Sequence, residues 1–476
     1  MKKRVVSLMM ATVLAAAALV GCGGGSSASS SAPAAEGEAA AEGEEAAAEG
    51  EAAEEEVVSD TAGDPNGTHL DLWTFVELHG TFYRDMVEQW NKENPDKTIE
   101  LTTITYPYSD MHNKLLMSFQ AGTGAPDICD VEVGQFPNVV AYEGNALYAL
   151  NDVIAPYEAT VVKSRIETYQ GADGNKYGVP FHVGATLMYY NLAELESVGI
   201  TQADVDAIKT WDDYEALGKR YCEARGNDGT HFWTSVDTGG NDILWIAMAE
   251  HGEDWTGGFE GPANVQLESV KKMLTYEKRW MDEGIAQVSK GGQVDTEDGF
   301  QSILSKEIVA FPKAAWYMSR FLNYMEEEKG NWYLAPCPVF EEGQINSVGI
   351  GGTGTVVTLQ SKAPELAAEF IAWAKMGEAG EKYIWENLGF DVCNTALWNQ
   401  EDFAHDQNNK YNTFFRNYPY DVLYQIKDSI GKISVVAISP TINDQINLTT
   451  LNDIFENGAD VETALQDAQD AIDIEQ

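Results

Sequence analysis

Apolar and polar positions change period several times along the chain, and each change marks an element. His69-Leu70-Asp71-Leu72-Trp73-Thr74-Phe75 alternates with period two, the spacing of a strand with one buried face. Phe82, Met86 and Trp90 then recur every four residues until Asn94-Pro95, which predicts an amphipathic helix stopped by proline. Ile99 to Thr105 predicts a second strand, Met111 to Ala121 a helix and Pro126 to Val133 a third strand, with Gly122-Thr123-Gly124-Ala125-Pro126 as the turn between the last two. This β-α-β-α-β order predicts a parallel sheet flanked by helices, with ligands bound at the carboxyl ends of the strands. Further helices are predicted where Thr210 and Asp213 form a capping box ahead of Trp211, Tyr214, Leu217 and Tyr221, along the face Leu366, Phe370, Trp373, and after Asp460 along Val461, Leu465, Ala468, Ile472. Trp211, Trp373 and Trp385 fit core positions. A tight turn at Asp173-Gly174-Asn175 leads toward a strand that continues through Thr186 to Asn191.

The start of the chain has a different grammar. Met1-Lys2-Lys3-Arg4 is followed by the apolar run Val5 to Val20, which at 16 residues is shorter than the roughly 20 a bilayer-spanning helix needs. Residues 1–21 therefore read as a signal peptide. The run ends in Leu19-Val20-Gly21-Cys22, which resembles the lipobox of bacterial lipoproteins. The resemblance implies that Cys22 carries lipid and anchors the chain to a membrane it does not span. An ordinary secretory signal with a chance cysteine is the alternative. Residues 22–66 hold Gly, Ser, Ala and Glu with no Lys or Arg, so the expectation is an extended acidic tether.

Charge and chemistry narrow the function. The 476 residues carry 30 Lys and Arg against 76 Asp and Glu, and the formal net charge of −46 repels phosphate backbones, which excludes a nucleic-acid partner. H-E-x-x-H, G-x-S-x-G and G-x-x-x-x-G-K-[ST] are all absent, and the seven histidines show no metal-ligand spacing. The expectation is therefore no catalytic residue, no metal and no cofactor. Gly349 to Gly354 matches G-x-G-x-x-G, yet Thr355-Val356-Val357 follows as a strand, whereas a dinucleotide site must open a helix. Gly351 and Gly352 instead suit a loop where backbone comes close to ligand. After Cys22, the thiols Cys129, Cys222, Cys337 and Cys393 are widely spaced; four free buried thiols, or one or two bridges, both fit.

Lys176-Tyr177-Gly178-Val179-Pro180 with Tyr189-Tyr190-Asn191 resembles a region of family 1 extracellular solute-binding proteins of ABC importers, the maltose-binding-protein type. Leu72-Trp73-Thr74, Ser118-Phe119-Gln120-Ala121-Gly122, Thr210-Trp211-Asp212-Asp213, Ala314-Ala315-Trp316-Tyr317-Met318 and Ser361-Lys362-Ala363-Pro364 match in order, so the similarity runs over most of residues 69–476. It implies an α/β, two-lobed periplasmic-binding-protein-like fold of type II. Its lobes are discontinuous, residues 67–181 plus 347–395 and residues 182–346 plus 396–476, joined near 181–183, 342–347 and 391–395. It further implies a monomer outside the cell membrane that captures a neutral sugar or oligosaccharide in the cleft and delivers it to an ABC permease.

A sugar site needs aromatic faces and oriented polar groups. On the strand pattern, Trp73, Glu77 and His79 lie at the mouth of the first strand, and Asp130, Glu132 and Gln135 follow a later one; core packing for Trp73 and plain surface charge for the acids are the alternatives. The resemblance adds His182 at the first crossing, Asn241, Asp242 and Trp245 in the second lobe's wall, Trp316 and Tyr317 where the family presents a stacking aromatic, Gly351 and Gly352 in the cleft loop, and Phe390 at the third crossing; a buried neutral ring for His182 and the apolar face of a helix for Trp245 are the alternatives. A polyamine or other small-solute receptor of the same fold is the rival reading, and a secreted glycoside-active enzyme a more distant one.

Overall fold

The computed structural model describes residues 57–141, 146–258 and 261–475. The signal peptide, Cys22 and most of the tether lie outside these residues. Two sheets organise the fold. The first has six strands in the order Val58–Gly63, Ile99–Thr105, Thr68–Thr74, Ile128–Glu132, Thr353–Val357, Val179–Pro180. Its central strands Ile99–Thr105, Thr68–Thr74 and Ile128–Glu132 are parallel, as βαβ connections require. Period two decides which side each residue takes: Leu70 and Leu72 enter the core with Phe82, Trp90 and Phe370, whereas Trp73 enters the opposite core with Met111, Leu115, Phe119 and Val356.

The expectation of a wholly parallel sheet fails at Thr353–Val357, which runs antiparallel to both neighbours. This strand arrives from the second sheet without a crossover helix, so nothing imposes the parallel direction. Residues 58–63, inside the segment expected as tether, pair antiparallel with Ile99–Thr105, Val58 opposite Thr105 and Gly63 opposite Glu100. Acidic, Ala-rich sequence conceals this edge strand because it buries few side chains; its burial runs from exposed to half-buried.

The second lobe is built on the antiparallel strands Trp332–Ala335, Thr186–Asn191 and Ala310–Ala314. Thr234–Val236 pairs in parallel with Ala286–Val288 beside them. An aromatic core of Tyr190, Trp211, Tyr214, Trp233 and Trp280 packs there. The capping box forms as read: Thr210 Oγ1 accepts from the Asp213 backbone N–H, and the Asp213 carboxylate accepts from the Thr210 backbone N–H, opening the helix Trp211–Ala224. The last helix runs Val461–Glu475, and its Val461, Ala464, Leu465, Ala468 and Ile472 are buried.

The chain leaves the first sheet at Pro180, joins the second at Thr186, and returns through residues 349–352 after the short strand Ser347–Val348. Buried side chains bind these passages together. Arg165 Nε donates to the His182 carbonyl at 2.9 Å, and its Nη2 donates to the Gly351 carbonyl and to Tyr169 Oη. Asp391, fully buried, accepts from the backbone N–H groups of Gly184 at 3.0 Å and Ala185 at 2.8 Å. The Val183 N–H reaches the Asp391 carbonyl at 2.9 Å.

Candidate functional site

The carboxyl ends of the parallel strands and the passages between the sheets meet in one region. Thr68–Thr74 ends beside Phe75, whose ring centroid lies 5.2 Å from both Tyr108 and His112. His112 Nδ1 donates to the Tyr108 carbonyl at 2.8 Å, and Nε2 accepts from the Glu132 N–H at 3.1 Å, which fixes a neutral ring. Burial agrees with that assignment, lowering the His112 pKa to about 4 against the opposing pull of the Tyr108 carbonyl. Glu132 is half-buried; it accepts from Tyr108 Oη at 3.2 Å and from the Gly134 N–H at 2.6 Å, holding the loop beyond its strand. Phe75, Tyr108 and His112 were absent from the sequence-based candidates, although Phe75 is the last apolar residue of the alternating run and stands where the strand must end.

Other candidates lie deeper. Trp73 is 5% exposed and meets Tyr106 edge-on at 5.2 Å with Lys114 above its ring, a core position. His79 and Asp130 are buried and bonded to one another at 3.1 Å. Asp130 also accepts from Thr74 at 2.8 Å and from Tyr83 and Thr355 at 2.7 Å, so its carboxylate is occupied within the chain. Burial works to raise the Asp130 pKa, but the His79 bond and charge, the Lys375 ammonium and the Tyr83 hydroxyl bring it down to about 2. Lys375 donates to the Val179 carbonyl at 2.7 Å and lies 4.0 Å over the Phe181 ring; burial, opposed by Asp130, lowers its pKa to about 7. His79 stacks on the same Phe181 at 4.0 Å. This network supports the surface from beneath. Glu77 is exposed at the start of the helix Glu77–Glu93.

At the passages, His182 is buried beside Asp391 at 3.6 Å and packs against the half-buried Phe390, whose centroid is 4.7 Å away. Burial outweighs Asp391 and lowers the His182 pKa, so the ring is neutral. Trp316 is half-buried; its Nε1 donates to the Ile350 carbonyl at 3.1 Å, and the Arg320 guanidinium lies 5.4 Å over its ring. Gly351 and Gly352 adopt φ of +67° and +104°, and a Cβ on Gly352 would stand 2.1 Å from Arg165 Nη2, so glycine is required there. Tyr317 turns inward instead, donating from Oη to the Val294 carbonyl at 2.8 Å. Neighbours in a single 3₁₀ turn, Ala315–Tyr317, point in different directions, so only one of the two rings faces outward.

In the second lobe, Trp245 is 7% exposed and its Nε1 donates to Asn241 Oδ1 at 3.2 Å, while Asp242 pairs with the buried Lys313 at 2.7 Å. The geometry thus gathers Phe75, Tyr108, Glu132, Trp316, Phe390 and the Gly351-Gly352 loop around the passages. Trp73, Asp130 and Tyr317 are packed into the interior. Cys129, Cys222, Cys337 and Cys393 are free and buried. Among the described residues no group of three or more His, Cys, Asp or Glu is placed to hold a metal ion, and no helix is long and apolar enough to cross a membrane.

Aromatic rings, a glycine-lined loop and the half-buried Glu132 thus lie beside the passages between the sheets. Residues 77–376 match the family model for bacterial extracellular solute-binding proteins. An arabinooligosaccharide-binding protein of Halalkalibacterium halodurans is 34% identical over 425 residues, covering 88% of this chain and 92% of the relative. A protein of the same description from Bacillus subtilis is 35% identical over 402 residues, covering 83% and 90%. Among solved structures, the sugar-binding protein MalE from Xanthomonas citri superposes with a TM-score of 0.69 at 17% identity over 85% of this chain and 96% of its own. The ABC transporter associated binding protein from B. animalis subsp. lactis, in complex with beta-1,6-galactobiose, gives 0.64 at 20% identity over 86% and 97%. With its two-lobed α/β fold and its match over most of its folded length, the chain belongs to the family of bacterial extracellular solute-binding proteins.

Proposed function

We propose that the chain captures a neutral oligosaccharide of the arabino-oligosaccharide class and delivers it to an ABC permease, held at the outer face of the membrane by lipid on Cys22. The observation that carries the reading is Trp316: a half-buried indole at the passage between the sheets, its Nε1 fixed to the Ile350 carbonyl, offering a ring face beside a glycine loop. A flat apolar face of this kind suits a sugar ring, and Glu132 supplies a carboxylate for its hydroxyls. Relatives that bind arabinooligosaccharides, similar along nearly their whole length, support the sugar class. Ligand touching both lobes stabilises the closed form by its differential affinity. Thermal unfolding of the purified chain with arabino-, xylo-, malto- and galacto-oligosaccharides, and with spermidine, tests the class. Arabino-oligosaccharides should raise the transition temperature most; a shift with spermidine alone would overturn the reading in favour of a polyamine receptor.

A further inference from the structure

The second lobe holds a cavity whose chemistry the aromatic site does not explain. Ser235, Asp237, Gly240, Asp242, Glu277 and Pro312 surround about 20 Å³ at the carboxyl end of the strand Thr234–Val236. That is room for one water-sized group. Lys313, on the strand Ala310–Ala314 that leads three residues later to Trp316, is 3% exposed and pairs with Asp242.

Glu277 is the anomaly. It comes from the helix Glu268–Asp282, is 3% exposed, and its carboxyl meets no hydrogen-bond donor and no cation among the described residues. Its one charged influence is Asp237. An ionised carboxylate without donors is costly in such a place. Burial, reinforced by the Asp237 charge, pushes the Glu277 pKa well above the usual carboxylate range, so it stands as a neutral acid with an O–H to give. Asp237 accepts from Ser289 Oγ. Burial raises its pKa to about 6, opposed by Lys313 and Ser289, so it is ionised at neutral pH and ready to accept again. The remaining charged groups nearby are already paired, Asp242 with Lys313 and Asp295 with Arg320 at 2.8 Å.

One donor and one acceptor facing a single water-sized space are the two partners an alcohol needs. A carboxylate there would meet the Asp237 charge. We propose that this cavity receives one primary hydroxyl of the bound saccharide, so that the receptor selects sugars with a free exocyclic hydroxymethyl over pentopyranosides and uronic acids. The inference rests on the reading of the chain as an oligosaccharide receptor.

Calorimetric titration of the whole chain tests it with four probes: α-1,5-arabinotriose, which has one free exocyclic hydroxymethyl, its analogue deoxygenated at that carbon, β-1,4-xylotriose, which has none, and a galacturonic acid trimer. Arabinotriose should bind at least about tenfold more tightly than the deoxy analogue, the range of a hydrogen bond to a charged group. In Asp237→Ala and in Glu277→Leu that gap should collapse, because the variants and the deoxy sugar remove the same contact. Glu277→Gln keeps a donor and cannot ionise, so it should flatten any loss of affinity at alkaline pH, which covers the case of Glu277→Leu failing to fold. A gap absent from the native chain, or unchanged in Asp237→Ala, overturns the cavity assignment while leaving the receptor reading intact. A chain that binds none of the four sugars overturns both.

Discussion

Asp391 offers the sharpest test of how the passages between the lobes are held. It is fully buried, and its two carboxylate oxygens take the N–H groups of Gly184 and Ala185 at 3.0 and 2.8 Å. In Asp391→Ala both donors are stranded in a region water does not reach, at about 1–3 kcal/mol each. The expected loss is therefore about 2–6 kcal/mol, a large share of the ~5–15 kcal/mol that stabilises a typical fold. Asp391→Asn keeps one carbonyl oxygen but turns an amide N–H₂ toward the second donor, so its loss should fall near half that of alanine. Urea denaturation followed by tryptophan fluorescence measures both, the midpoint giving stability and the slope checking that the exposed surface is unchanged. An alanine variant within about 0.5 kcal/mol of the native chain would refute the argument, since it would mean the two N–H groups find other partners at no cost.

Other consequences follow from the same geometry. Trp316→Ala should weaken oligosaccharide binding by about 10–100-fold with a smaller effect on folding, as checked by calorimetry beside thermal unfolding, because the ring is half-buried. Gly352→Ala should destabilise the chain by about 1–3 kcal/mol or more in urea, since φ is +104° and the new Cβ meets Arg165. Glu250 gives a pH dependence: burial, opposed by bonds from Trp211 Nε1 and the Phe340 N–H, raises its pKa from 4.5 to about 7. A folded pKa above the unfolded one means that the stabilisation is complete below about pH 4.5 and is lost as pH rises to 7. The loss amounts to about 3 kcal/mol. Denaturation at steps from pH 4.5 to 8 should show that decline, and Glu250→Gln should show a shallower one.

Much of the fold was legible because it is written in local period and capping. The four-residue spacing of Phe82, Met86 and Trp90 lies within the helix Glu77–Glu93, the run Ile99–Thr105 is a strand, and Thr210 with Asp213 opens a helix as the capping box requires. What stayed hidden depends on partners far away in sequence. The direction of Thr353–Val357 is set by where the chain comes from, and the edge strand Val58–Gly63 by a sheet edge that offers it bonds. In the site, Phe390 was readable as an aromatic at a crossing and Trp316 as a stacking aromatic through the family resemblance, but which of Trp316 and Tyr317 faces outward depends on a single turn. Asp130 looked free from sequence because Thr355 and Lys375, more than two hundred positions away, have no motif that announces them. Arg165, which joins two passages through one guanidinium, had no signal at all.

Under the proposed function the chain holds an oligosaccharide and releases it unaltered. Titration of the purified chain with α-1,5-arabinotriose, followed by recovery of the sugar and its mass spectrum, tests that directly. Saturable one-to-one binding with a Kd of about a micromolar or below, roughly −8 kcal/mol, and an intact trisaccharide afterwards are the expected results. No saturable heat, or recovery of shorter sugars, would contradict it.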